Sequence, residues 1–215
     1  MNRRIACSTV LVASLLVLLT WSSVSNAQGS VLYSENFTEY ANGTHPPSWT
    51  NPHDNWIVEN GWYQWNAPPS SGLVVSWYTG LRFGNFVMSA TVEGLKYCPN
   101  PEGAPVFYVE LRGPKSDNVW GYEFGSDVYT MQINKHNLTS SYNLASLHTN
   151  GLAAYGSPMQ IKVQVDGSSL QYWLTDHNGV SHYLSAEDSE FKVGYLGLAT
   201  YNCGVEFTNI VVSSL

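Results

Sequence analysis

Glu110 and Glu123 are the residues whose type and placement come nearest to a reaction. Hydrolysis of a glycosidic bond uses two carboxyl groups about 5–9 Å apart, one protonating the leaving oxygen while the other attacks or activates water. Each glutamate lies in a segment with apolar residues on its opposite face, so neighbouring strands can bring the two together. The plain alternative is a pair of solvated carboxylates, or carboxylates paired with Arg112 and Lys135. A phenol offers a second chemistry: Tyr201 can act as both base and acid in an elimination. Its pKa starts near ~10, however, and must be lowered by nearby cations. Arg112 alone is a thin supply of positive charge, and Asn134 cannot serve as a base.

Around these groups stand residues suited to binding. Tyr108 and Arg112 share the polar side of the Glu110 segment, Gln132 and Asn134 share the polar side of another, and Trp120 follows the polar loop Lys115-Ser116-Asp117-Asn118. Aromatic residues gather at Trp56, Trp62, Tyr63, Trp65, Trp77, Tyr78, Trp120, Tyr122, Tyr172 and Trp173. Sugar rings stack their C–H faces on such side chains while amides, carboxylates and guanidinium groups fix the hydroxyls. At least half of these aromatics are expected in the core, with Trp56 and Phe86 placed there by their polar neighbours.

Several chemistries are left without a basis. His45, His53, His136, His148, His177 and His182 show no metal-ligand spacing, and most fall in loop-like stretches. No Asp-rich loop calls for calcium, so no cofactor is required, although a structural calcium is compatible with this kind of fold. Neither a serine elbow nor a phosphate loop is present.

The elements that must position these groups are strands. Val106–Arg112 alternates, with Phe107, Val109 and Leu111 against Tyr108, Glu110 and Arg112. Tyr129, Met131 and Ile133 oppose Thr130, Gln132 and Asn134, and Ile161, Val163 and Val165 oppose Lys162, Gln164 and Asp166. Turn signals follow at Asn150-Gly151, Asp166-Gly167 and His177-Asn178-Gly179. No stretch has convincing helical spacing. The fold class is all-β, a two-sheet antiparallel sandwich.

The N-terminus reads as an export signal. A basic Met1–Arg4, an apolar run over residues 5–19 and the small residues Ser25-Asn26-Ala27 predict cleavage after residue 27. The apolar run is too short for a span of roughly twenty residues. Residues 28–215 are then expected to form a single domain, secreted to an extracellular or periplasmic space, with no membrane span after cleavage. Loss of Arg3 and Arg4 takes the formal charge from −7 to −9. Such an acidic chain is no partner for nucleic acid. Loss of Cys7 leaves Cys98 and Cys203 in a compartment that permits disulfides, and a bridge between them is expected.

Taken in order, "LYSENFTEYANGTHPPSWT", "WIVENGWYQW", "FGNFVMSATVEGL", "PMQIKVQVDGSSLQYWLTD" and "YLGLATYNCGVEFTNIVV" resemble the concanavalin A-like jelly rolls, closest to the laminin-G-like branch with its carbohydrate-binding modules and keto-disaccharide hydrolase-like domains. The resemblance implies that Phe37 and Phe207-Thr208-Asn209 mark first and last strands paired in one sheet. A narrower likeness is to alginate lyases of this fold, whose strand motifs are matched by Glu110, Arg112, Gln132, Tyr195, Tyr201 and Asn202. Tyr108, Asn134 and Gly197 stand where those enzymes carry arginine, histidine and lysine.

The expectation is a secreted protein that binds a polysaccharide or oligosaccharide in a concave groove lined by Tyr108, Glu110, Arg112, Trp120, Glu123, Gln132, Asn134, Tyr195, Tyr201 and Asn202. In the last of these segments Leu196 and Leu198 are expected to face the core, with Tyr195, Gly197 and Tyr201 on the groove side and Gly197 leaving room there. The alternatives are a glycoside hydrolase using Glu110 and Glu123, a polysaccharide lyase using Tyr201, or a structural or adhesive surface protein.

Overall fold

A computed structural model describes residues 29–50, 55–65, 73–95, 107–113, 120–137, 140–149, 151–152, 156–201 and 203–215, the side chains of 107–113 excepted. The segment read as a signal, and with it Cys98 and Asn202, lies outside the described residues.

Eight strands form one sheet: β1 (Val31–Glu35), β2 (Trp56–Glu59), β3 (Trp62–Trp65), β5 (Phe86–Gly94), β10 (Met159–Asp166), β11 (Ser169–Thr175), β12 (Ser181–Glu187) and β14 (Val205–Ser213). Six form the other: β4 (Leu73–Trp77), β6 (Phe107–Gly113), β7 (Gly121–Ser126), β8 (Thr130–Asn137), β9 (Ser140–His148) and β13 (Tyr195–Tyr201). Their orders are β12-β11-β10-β5-β14-β3-β2, with β1 also on β14, and β4-β13-β6-β7-β8-β9. The pairings are antiparallel, and no helix occurs among the described residues.

The period-two pattern explains the layers. Ile161, Val163 and Val165 are buried, whereas Lys162 and Asp166 reach solvent. Met131 and Ile133 are buried as their spacing requires. Tyr129 departs from that expectation: it precedes β8, its N–H donates to the Asp127 carboxylate, and its ring is exposed. Gly167 and Gly179 adopt positive φ at the two hairpin turns of β10-β11-β12, a conformation glycine enters at little cost. The ends of the chain close the first sheet. Residues of β1 pair with β14, and Thr208 donates through its hydroxyl to the carbonyls of Asn36 and Gly61.

Between the sheets lies an aromatic core. Trp56, Tyr63, Trp65, Tyr78, Tyr122 and Tyr172 belong to it, as do Phe37, Phe86 and Phe207. Buried phenols need partners, and they find them across the sandwich. The hydroxyl of Tyr63 shares a 2.8 Å hydrogen bond with Ser76 of the other sheet, and that of Tyr172 a 3.0 Å bond with Ser126. The hydroxyl of Tyr122 donates to Asp188 at 2.6 Å.

Lys135 does not pair with either candidate glutamate; it binds Asp188 at 2.6 Å and Glu190 at 3.0 Å. It alternates out of phase with Asn134 and so leaves the sheet on the side of Tyr122 rather than that of Glu123. Burial raises the Asp188 carboxyl, but Lys135, the Tyr122 hydroxyl and the Glu190 N–H outweigh it and hold the group below the usual carboxylate range. A lowered folded-state pKa contributes stability above the unfolded value of about 3.9 that is lost as pH falls through the folded value. Asp188→Asn is expected to lower the melting temperature at pH 6, with the gap to the wild-type protein shrinking toward pH 2.5; a gap constant with pH would contradict this assignment.

Candidate functional site

The face of the six-stranded sheet turned away from the core gathers the polar residues. Leu196 and Leu198 point into the core, which leaves Tyr195, Gly197, Ala199 and Tyr201 of β13 on that outer face. Register then builds a row across all six strands. Gly197 lies opposite both Trp77 and Glu110, Glu110 opposite Glu123, Glu123 opposite Asn134, and Asn134 opposite Asn143. A second row carries Val75, Ala199, Tyr108, Gly125 and Gln132.

Glu123 is the centre of the arrangement. It is only 4% exposed although it faces away from the core. A buried carboxylate must be hydrogen-bonded, and both oxygens are. Asn134 Nδ2 donates to Oε1 at 2.6 Å, and His136 Nε2 lies 3.0 Å from Oε2, which puts the imidazole proton on Nε2. Asn143 Nδ2 donates in turn to Asn134 Oδ1 at 2.9 Å, fixing the orientation of the Asn134 amide. The chain Asn143, Asn134, Glu123, His136 is thus a satisfied polar network on a sheet surface. To protonate a leaving oxygen, Glu123 would first have to give up one of these bonds.

No family model and no curated protein sequence matches this chain. Its shape does match solved structures. Carbohydrate-binding module CBM66 from Bacillus subtilis superposes with a TM-score of 0.59 at 15% identity, covering 84% of this chain and 98% of that one. The seed lectin of Lotus tetragonolobus gives 0.63 at 13% identity, over 84% and 97%. The exoplasmic/lumenal domain of VIP36, in its Ca2+/Man3GlcNAc-bound form, gives 0.59 at 13% identity, over 79% and 84%. The chain is a concanavalin A-like jelly roll. At these identities the likeness speaks for the fold alone.

The jelly roll sorts the expected site residues. Backbone register places Tyr108 and Glu110 beside Gln132, Glu123 and Asn134, with Arg112 next along the same strand. Tyr195 shares the face, with the Arg82 guanidinium 5.8 Å from its ring centroid. Trp120 immediately precedes β7, half-buried, and its Nε1 has no hydrogen-bond partner among the described residues. Tyr201 is exposed but four residues along β13 from Gly197, about 13 Å at the rise of a strand. One sugar ring cannot touch both Tyr201 and Glu123; an oligosaccharide can.

Gly197 does not leave an open space. A Cβ there would come within 2.9 Å of the Trp77 ring, so the missing side chain is the room that the indole fills. Trp77, 4% exposed, belongs to this face and not to the core cluster.

His136 was missed. It lies in β8, not in a loop, as His182 lies in β12 and His148 ends β9. The signal was available in the alternation of Gln132, Asn134 and His136 on one side of a strand.

Removing the Asn134 amide leaves a buried acceptor unpaired, so Asn134→Ala should destabilise by about 1–3 kcal/mol. Asn134→Asp sets a second carboxylate against Glu123. Its melting temperature at pH 7 should fall further than that of Asn134→Ala; a loss no larger than that of Asn134→Ala would contradict the network.

Proposed function

We propose that this chain is a secreted glycan-binding domain, spanning residues 28–215, that holds an oligosaccharide or polysaccharide on the outer face of its six-stranded sheet. The observation that carries the reading is the row Gly197, Glu110, Glu123, Asn134, in which Glu123 and Asn134 are buried polar groups held on a surface rather than in the core. Carboxylate and amide groups fixed in this way bind hydroxyls with little loss of side-chain freedom. The jelly-roll neighbours include a carbohydrate-binding module and a lectin, which supports the ligand class. Tyr108 supplies a stacking ring and Arg112 a guanidinium donor, while Tyr195, Tyr201 and Asn202 extend the surface for further sugar units.

A second reading, glycoside hydrolysis, has one observation in its favour. Glu110 stands directly across from Glu123, and opposed residues on one face are about 4.5–5.5 Å apart at Cβ, within reach of a retaining geometry. Against it stands the use of both Glu123 oxygens as acceptors.

A glycan array probed with the exported chain should give specific hits. On the best of them Tyr108→Ala and Arg112→Ala should each weaken binding by about 1 kcal/mol or more at unchanged melting temperature. Tyr201→Phe should cost about 0.5–1.5 kcal/mol. Unaltered affinity in both Tyr108→Ala and Arg112→Ala would remove the site from this face. Product formation that Glu123→Gln abolishes would select the hydrolase reading.

The Cys98–Cys203 bridge belongs to the same proposal. Cys203 is buried, and the N–H of Leu95, three residues before Cys98 in the sequence, donates to the carbonyl of Gly204 at 2.9 Å, which supports the pairing. Non-reducing peptide mapping should recover the linked pair; two freely alkylated cysteines would refute it.

A further inference from the structure

Four asparagines of this chain are followed directly by glycine, at 42–43, 60–61, 150–151 and 178–179. In such a pair the glycine nitrogen, with no side chain to hinder it, can attack the side-chain carbonyl of the asparagine. Asn150 lies outside the described residues, and the other three pairs differ in what holds the attacking nitrogen. The N–H of Gly43 donates to the carbonyl of Val58 at 2.8 Å, and that of Gly179 to the carbonyl of Asp176 at 2.9 Å. A nitrogen so engaged must give up its hydrogen bond before it reacts. The N–H of Gly61 makes no hydrogen bond among the described residues.

Asn60 and Gly61 form the turn that joins β2 to β3, between the paired Glu59 and Trp62. Their φ angles are 53° and 79°, the positive values that a tight hairpin turn of this kind requires. Asn60 is exposed, so water has access to it. Asn42 lies against the turn: its Oδ1 accepts from the Asn60 N–H at 2.9 Å, and its Nδ2 donates to Glu59 Oε1 at 2.9 Å and to Asn60 Oδ1 at 3.3 Å. The last of these bonds sets a donor on the oxygen where negative charge develops when Cγ is attacked, which stabilises the tetrahedral intermediate. The Asn42 oxygen has a donor too, the Asn60 N–H, but there the Gly43 nitrogen is held. Among the described pairs, donor and unheld nitrogen coincide only at Asn60-Gly61.

We propose that Asn60 is a self-modification site, where the folded protein converts the asparagine to aspartate and isoaspartate without an enzyme. The Gly61 nitrogen loses its proton and bonds to Cγ of Asn60, the Cγ–Nδ2 bond breaks, and ammonia leaves with that proton, closing a cyclic imide. Water then opens the ring. Addition at Cγ restores the peptide bond to Gly61 and leaves aspartate; addition at the main-chain carbonyl leaves Gly61 joined through the side chain, as isoaspartate. Isoaspartate lengthens the main chain of a tight turn by one carbon, and either product sets a new carboxylate beside Glu59. The hairpin carries Tyr63 and Trp65 of the core, so the reaction ages the fold from an exposed turn. It is independent of the glycan face.

The test is incubation of the folded, exported chain in mildly alkaline buffer, with peptide mapping by mass spectrometry and enzymatic methylation of isoaspartate at intervals. Asn60 should convert several-fold faster than Asn42 and Asn178, with isoaspartate among its products. In urea the lead should disappear, because it comes from the fold. Asn60→Gly puts in the turn a residue that takes positive φ at little cost, so this variant should melt close to the wild type and accumulate acidic species several-fold more slowly. An Asn60 that keeps its amide or shows no lead over Asn42 and Asn178, a lead that persists in urea, or acidic species formed as fast in Asn60→Gly, overturns the proposal.

Discussion

A carboxylate taken out of water on the surface of a sheet survives only if both its oxygens are hydrogen-bonded, and for Glu123 that requirement fixes the register of β7 against β8. Asn134 reaches Oε1 because it stands directly across, and His136 reaches Oε2 because it is the next residue on the same face. A slip of one residue would present Ile133 and Lys135 to the carboxylate and turn Asn134 into the core. The same register puts Met131 and Ile133 among the core aromatics. Core packing and surface chemistry therefore depend on one alignment of strands.

Much of this was legible in the sequence because a strand's period of two is a local property. Ile161, Val163 and Val165 declared a buried face, Gly167 and Gly179 declared hairpin turns, and the pairing of first and last strands followed the resemblance carried by Phe37 and Phe207. What was not legible depends on partners distant in the chain. Nothing near Lys135 announces Asp188, and nothing near Gly197 announces the Trp77 ring against it. His136 is a different kind of miss. Metal-ligand spacing was the wrong question for a residue whose alternation with Asn134 already placed it beside Glu123.

The two sheets handle polar groups in contrasting ways. On the six-stranded sheet the buried carboxylate is fully hydrogen-bonded, which suits a rigid surface that meets a neutral, hydroxyl-rich ligand. On the eight-stranded sheet Glu93 and Glu206 stand directly opposed, and burial together with the facing carboxylate raises the Glu206 carboxyl.

The central claim, that the outer face of the six-stranded sheet is the binding surface, is tested most directly by NMR titration of the labelled exported chain with an oligosaccharide that binds it. The side-chain resonances of Asn134, Asn143 and His136 should shift together with one dissociation constant, while the Trp173 indole on the outer face of the opposite sheet stays still. Shifts confined to Trp173 and its neighbour Tyr183, with Asn134 and His136 unmoved, would contradict the account.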